Sequence, residues 1–299
     1  SSLFAREPHY EKRFDIPRSA TSTRRPEILM SIPQPPDVPA DFLKGMDSLL
    51  LLPETGAVPF HAFRAPMREE IVQWALSDDE PIMVRLQAGE GGCGKTRLLI
   101  EVCKALDAQP EWRAGFFKGA REMIVSGFSE LQDQARNCLI VVDFAETKSE
   151  LVVALTRTAL DFWRKGAVRK VRIVLLARDG GDWWNNLGEH AKGDDLLAAY
   201  LREPSKKQGP YRMSETVIDE AQRLAVLREA LAALAAFKSI AAPDVSDPDL
   251  SGDGFAQPLY LHLAALAILR GEELAGSRAL LLNVLGHERQ YWRELLVGD

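Results

Sequence analysis

The stretch Gly89-Glu90-Gly91-Gly92-Cys93-Gly94-Lys95-Thr96 constrains this chain more than any other. It meets the phosphate-binding loop pattern G-x-x-x-x-G-K-[ST] at every fixed position. The apolar residues 82–88 precede it and read as a buried strand, and residues 97–106 follow with a helical pattern. Strand, glycine loop and helix form the context in which the motif binds phosphate. Glycines let the backbone wrap an anion closely, and the amides at the helix start point at it. Lys95 would reach the β- and γ-phosphates, and the Thr96 hydroxyl would hold Mg²⁺. Gly89, Gly91, Gly92, Cys93, Gly94 and Arg97 complete the nucleotide-contacting set expected of this loop. A glycine-rich turn matching by chance is the competing reading, and the correct flanks argue against it.

Beyond the loop, strand and helix patterns alternate. Residues 114–117 read as a second short strand, 120–135 as a helix, 138–142 as a third strand and 150–163 as a helix. A fourth strand, 171–177, follows. Continuous apolar strands alternating with helices predict a parallel sheet covered on both faces, with ligands outside the C-terminal strand ends. From residue 209 the strand signal fades. Residues 219–237 and 258–269 read as helices, the second with Pro258 in its first turn, and 271–292 as one or two more. The expected fold class is therefore α/β, a three-layer parallel sheet of the P-loop NTPase type, followed by a small helical domain. Expected boundaries are 1–57 for a Pro-rich arm or linker, 58–215 for the nucleotide domain and 216–299 for a helical lid.

Residues 1–60 hold nine of the seventeen prolines, which excludes a regular helix or a central strand. They read either as a linker from an upstream domain or as an arm wrapping the core, with a short helix near residues 42–51. In the second case Phe60, Phe63 and Trp74 pack against the nucleotide domain. Residues 66–76 carry a helical spacing of Met67, Ile71, Val72 and Ala75.

Three charged residues stand at expected strand ends. Asp143 closes the third strand and, behind a phosphate loop, reads as the Walker B carboxylate that orders Mg²⁺ opposite Thr96; the alternative is a helix cap. Glu146 is the candidate catalytic base or water-positioner, because Phe144 fills the slot directly after Asp143. Its alternative role is a first-turn Glu favoured by a helix dipole. Arg178 closes the fourth strand and is expected, buried on the strand side, to contact a γ-phosphate; otherwise it is a surface Arg paired with Asp179 or Asp182. The next stretch, Gly180-Gly181-Asp182-Trp183-Trp184, reads as a packed lid. Cys93 as a redox switch and His262 as more than a satisfied helix histidine are the weaker readings.

A net charge of −6 gives no global nucleic-acid signal, and no apolar run approaches the ~20 residues a membrane helix needs. Three scattered cysteines make no disulfide frame, and the first residues lack a signal-peptide core, so a cytoplasmic setting is expected. The missing initiator Met and the helical-looking last residues fit a piece of a longer protein.

With these residues in view, the chain resembles the nucleotide-binding module of STAND-class P-loop ATPases, relatives of NB-ARC and NACHT proteins. The resemblance rests on residues 91–98, 139–146 and 175–184, and on Gln257-Pro258-Leu259-Tyr260-Leu261-His262, which is similar to the family's G-x-P motif. The motif glycine is displaced: Ala256 fills its slot and Gly254 lies four residues before Pro258. The resemblance implies that the fourth strand lies between the first and third and that Pro258 touches the nucleotide. It also implies an ATP/ADP switch with slow Mg²⁺-dependent hydrolysis, self-association in the ATP state, fused effector and sensor domains, and roles in signalling or bacterial antiviral defence. An AAA+-like motor or loader, and a module that binds ADP without hydrolysis, are the rival readings.

Overall fold

The computed structural model describes residues 29–37, 47–134, 137–191, 194–195, 197–198, 201, 210–213, 218–246, 248–272 and 274. The helices read over 271–292, and most of the proline-rich segment, lie outside the described residues. The strands are β1 (Met30–Ser31), β2 (Ile82–Ala88), β3 (Trp112–Phe117), β4 (Asn137–Val142), β5 (Lys170–Ala177) and β6 (Tyr211–Arg212). The α-helices are α1 (Ala65–Leu76), α2 (Lys95–Asp107), α3 (Ile124–Gln134), α4 (Ser149–Arg164), α5 (Gly181–Asn185), α6 (Glu220–Phe237) and α7 (Pro258–Leu269).

The six strands form one sheet in the order β1-β3-β4-β5-β2-β6, parallel except for β1. Because β5 runs between β2 and β4, the strand that follows the phosphate loop's helix is not its sheet neighbour. That insertion, with helices on both faces, is the three-layer ASCE-type P-loop NTPase architecture. Each central strand divides its side chains between the two faces, as the period of two requires. Ile173 and Leu175 of β5 join Cys138 and Ile140 of β4 in a core beneath α3 and α4. Val174 and Leu176 join Leu139 and Val141 in a second core beneath α1 and α2. A third core binds α6 to α7 through Leu227, Leu231, Leu234, Leu261 and Leu266, and takes in Leu50 and Val58 from the segment before α1. Asp219 starts α6 as an N-cap, its Oδ1 accepting from the Gln222 amide at 2.7 Å.

The apolar strands carry two fully buried arginines. Arg85 in β2 makes a two-pronged bond to Glu70 of α1 at 2.7 and 3.0 Å and lies 3.5 Å over the Tyr211 ring. Arg172 in β5 donates to the carbonyls of Ala75, Ser77 and Pro81 at 2.8–3.1 Å, where α1 ends. Its charge meets the exposed carbonyl end of that helix. Burial nonetheless brings its pKa down to about 10. Both side chains staple α1 to the sheet, Arg85 from the middle of β2 and Arg172 near the start of β5.

Two sequence expectations shift. The helix read from residue 120 begins as a single 3₁₀ turn, Arg121–Met123, before α3. The short helix near 42–51 is, in its described part, the 3₁₀ turn Asp47–Leu51. In addition, Met30–Ser31 lies antiparallel to the edge strand β3, with Leu29 and Met30 buried in the sheet core.

Candidate functional site

The phosphate loop leaves β2 at Ala88 and enters α2 at Lys95. Gly92 and Gly94 adopt φ of +84° and +94°, a conformation that side chains resist. The first intrahelical bond of α2 runs from the Leu98 amide to the Gly94 carbonyl at 3.0 Å. The amides of Lys95, Thr96 and Arg97 therefore precede any helical acceptor and form the anion-facing end. The Lys95 ammonium is folded into the loop, donating to the carbonyls of Gly89 (2.6 Å) and Glu90 (3.0 Å). The Cys93 thiol is buried, 3.9 Å from that ammonium.

Parallel pairing of β4, β5 and β2 carries the three strand-end residues to the same edge of the sheet. Thr96 Oγ1 and Asp143 Oδ2 face each other at 3.5 Å, and Asp143 Oδ1 accepts from the Phe144 amide at 2.9 Å. These two oxygens fit Mg²⁺, a hard cation that takes one or two protein oxygens and leaves its other positions to water and phosphate. No cluster of three or more His, Cys, Asp and Glu competes as a metal site among the described residues. Glu146 sits in the 3₁₀ turn Ala145–Thr147, with a buried Oε2 that has no hydrogen-bond partner. Phe144, between Asp143 and that turn, is held at φ 53° and ψ 46° and is 62% exposed. A left-handed non-glycine residue is strained, and such strain gathers where a loop must aim side chains.

Arg178 departs from expectation. It is exposed rather than buried, because β5 ends at Ala177 and the next residue has left the sheet. It still lines the cavity and, among the described residues, pairs with neither Asp179 nor Asp182. Arg97 also lines the cavity, but its guanidinium is engaged elsewhere, bonding the Pro53 carbonyl at 2.8 Å and Glu101 at 3.3 Å.

All of these meet in one cavity of about 450 Å³, a size suited to a nucleotide or similar small molecule. Gly91 to Arg97, Asp143, Phe144, Glu146 and Arg178 contribute the loop and strand-end side of its lining. Residues 50–53 and 58–61, Arg64, Pro258, Leu259 and His262 complete the lining and touch the loop. Of the predicted set, Gly89 alone is not a wall residue; it holds Lys95 through its carbonyl.

The N-terminus of α7 rests directly on the loop. The Leu259 amide donates to the Gly92 carbonyl at 3.3 Å, and Gln257 Nε2 donates to Glu90 Oε2 at 2.6 Å. The buried Arg64 side chain donates to the Cys93 carbonyl at 3.0 Å. Sequence reasoning missed the wall made by residues 50–64; its arm reading packed Phe60 and Phe63 against the nucleotide domain, whereas Phe60 joins the core beneath α1 and α2 and Phe63 joins that of α6 and α7. It also assigned His262 a merely structural place. His262 Nε2 lies 2.9 Å from His61 Nε2, whose Nδ1 lies 2.6 Å from Glu229 Oε2. Burial, with His61 and Arg97 adding to it, pushes the His262 pKa down to about 3.

No family model matches the chain, and no curated protein matches it. Among solved structures it is similar to the Aeropyrum pernix ORC2 protein in its ADPNP–ADP complexes, at 12% identity and a TM-score of 0.47 over 77% of this chain and 69% of that one. It is also similar to domain III of the Thermotoga maritima replication initiation protein DnaA, at 11% identity and a TM-score of 0.42 over 76% of this chain and 95% of that one. No helix among the described residues is long and apolar enough to cross a membrane.

Proposed function

We propose that this chain is an ATP- and ADP-binding P-loop ATPase module whose helical part closes on the bound nucleotide. The observation that carries the reading is a cavity walled jointly by the phosphate loop and by the Pro258 turn of α7 that rests on it. The α2 amides and Lys95 hold the β- and γ-phosphates, with Lys95 exchanging its loop carbonyls for phosphate oxygens. Thr96 and Asp143 hold Mg²⁺, which supplies charge neutralisation at the transferring phosphate. The unpartnered Oε2 of Glu146 accepts from the attacking water and aligns it. Arg178, without a protein counterion among the described residues, stabilises negative charge on the γ-phosphate. Residues 58–60, Pro258 and Leu259 give the base an apolar berth.

Two finer readings share this site. In a STAND-type switch, ADP holds α7 against the loop, ATP releases it and permits self-association, hydrolysis is slow, and fused effector and sensor domains take up the signal in signalling or antiviral defence. In an AAA+-like motor or loader, turnover is fast once a partner or ring neighbour supplies an arginine. Sizing by light scattering with ATP and with ADP, alongside turnover measured across protein concentrations, separates them. ATP-dependent assembly at slow turnover selects the switch, and turnover rising steeply with assembly selects the motor.

The test of the parent reading is calorimetry of the full chain with ADP and ATP, with Lys95→Ala as the comparison. The chain binds both nucleotides, and Lys95→Ala weakens binding at least ~100-fold, as loss of a buried charged phosphate contact requires. Equal affinity in the variant overturns the assignment of the loop.

A further inference from the structure

The lining of the cavity includes a polar device that the phosphate chemistry does not use. His61 precedes the 3₁₀ turn Ala62–Arg64 and is buried. His262 lies on α7, one turn after Pro258, and Glu229 lies on α6. The three form a chain: Glu229 Oε2 to His61 Nδ1 at 2.6 Å, then His61 Nε2 to His262 Nε2 at 2.9 Å. Both histidines line the cavity. Nothing among the described residues bonds His262 Nδ1.

For an uncharged pair of rings, the chemistry of the three groups sets the direction of the protons. A carboxylate only accepts, so His61 Nδ1 carries hydrogen and donates to Glu229. With both rings neutral, His61 Nε2 is then a bare lone pair. A 2.9 Å contact between two ring nitrogens holds a single proton, so His262 Nε2 must supply it. That leaves His262 Nδ1 without hydrogen, as an acceptor. The depressed pKa of His262 agrees with a ring that takes up no second proton. Glu229 thus determines, through two rings, which way the cavity-lining histidine can bond.

We infer that His262 is the residue that selects the base, its Nδ1 accepting from the 6-amino group of adenine and disfavouring purines that carry a 6-oxo group. This rests on the nucleotide reading above and deepens it. An oxo group at the same place sets acceptor against acceptor and leaves both buried and unpaired, the situation in which polar sites discriminate most strongly. The aliphatic and aromatic walls around it, Val58, Pro59, Phe60 and Leu259, contact any purine face alike and confer no such choice.

The experiment is equilibrium binding of the full chain to ATP, ITP and purine riboside triphosphate, which carry an amino group, an oxo group and hydrogen at position 6. The wild type is expected to bind ATP about ten-fold more tightly than the hydrogen analogue, and ITP more weakly still. His262→Ala is expected to bring ATP down to the level of the hydrogen analogue, erasing the ratio between the two. Glu229→Ala releases the tautomer and narrows the ratio of ATP to ITP in the same direction. Ligands differing by one atom group make the wild-type series decisive even where a variant folds poorly. Equal binding of all three by the wild type overturns the inference and leaves the phosphate site standing. So does tighter binding of ITP, which requires a donor at Nδ1, or an equal loss of all three ligands in His262→Ala. Failure of the wild type to bind any of them removes both the inference and the reading beneath it.

Discussion

Gly92 and Gly94 offer a controlled test of how firmly α7 is seated on the phosphate loop. Both have positive φ, +84° and +94°, so alanine at either costs a similar backbone strain of about 1–2 kcal/mol. Their surroundings differ. A Cβ at Gly94 meets no atom of the described residues within 4 Å. A Cβ at Gly92 lies 3.0 Å from both Cβ and Cδ2 of Leu259 and 3.2 Å from Gln257 Oε1. The Leu259 Cδ2 can rotate away, but its Cβ moves only with the helix, so the start of α7 must retreat by a few tenths of an ångström. That displacement falls on the 3.3 Å bond from the Leu259 amide to the Gly92 carbonyl, already long for an N–H···O pair. Overpacking of this kind costs about 1–3 kcal/mol, and a lost backbone bond about 1 kcal/mol. Relative to Gly94→Ala, Gly92→Ala should therefore open the α7 contact by roughly 1–3 kcal/mol. Hydrogen exchange of the nucleotide-free protein reads this directly, as a ten- to hundred-fold faster exchange of the Leu259 amide. Urea unfolding reports the shared strain in both variants. Identical exchange at Leu259 in the two would refute the idea that the loop carries α7.

Further expectations follow from the same geometry. Glu146→Gln should keep ATP affinity within about three-fold and reduce hydrolysis by ~100-fold or more, read by single-turnover phosphate release; wild-type turnover would remove Glu146 from the reaction. Arg178→Ala should weaken ATP about ten-fold while leaving ADP unchanged, since an exposed arginine with no counterion among the described residues contributes through the third phosphate alone; equal loss for both nucleotides contradicts that role. Acid should destabilise the fold through His262. Its pKa falls from 6.5 to about 3, so between those values the unfolded chain binds the extra proton and stability declines as pH drops, by up to about 1.4 kcal/mol per pH unit. The groups facing it are His61 before α1, Arg97 of α2 and, through His61, Glu229 of α6. His262→Gln should flatten that slope in urea titrations from pH 6.5 to 4, and an unchanged slope would locate the acid sensitivity elsewhere.

Local chemistry made much of this molecule legible from residues alone. The loop from Gly89 to Thr96 announces itself because phosphate binding needs glycine, lysine and a hydroxyl at fixed spacing. The strands β2, β4 and β5 read correctly because both of their faces are buried, which leaves continuous apolar runs. Helices α6 and α7 read to within a residue, since Asp219 caps one and Pro258 opens the other. Asp143 and Glu146 line the cavity, a position that their distance from a strand end made readable. What the sequence left open is the second wall of the cavity. His61 and His262 are 201 residues apart and Gln257 and Glu90 are 167 apart, and no periodicity links such partners. The buried Arg85 and Arg172 were hidden for the same reason, because Glu70 and the carbonyls at the end of α1 accept their charge only once α1 lies against the sheet. Sequence by itself determined where the glycine loop and the strand-end residues of the cavity lie. Tertiary structure alone decided what stands opposite them, because that wall is built from three segments whose order in space depends on burial of their apolar faces together.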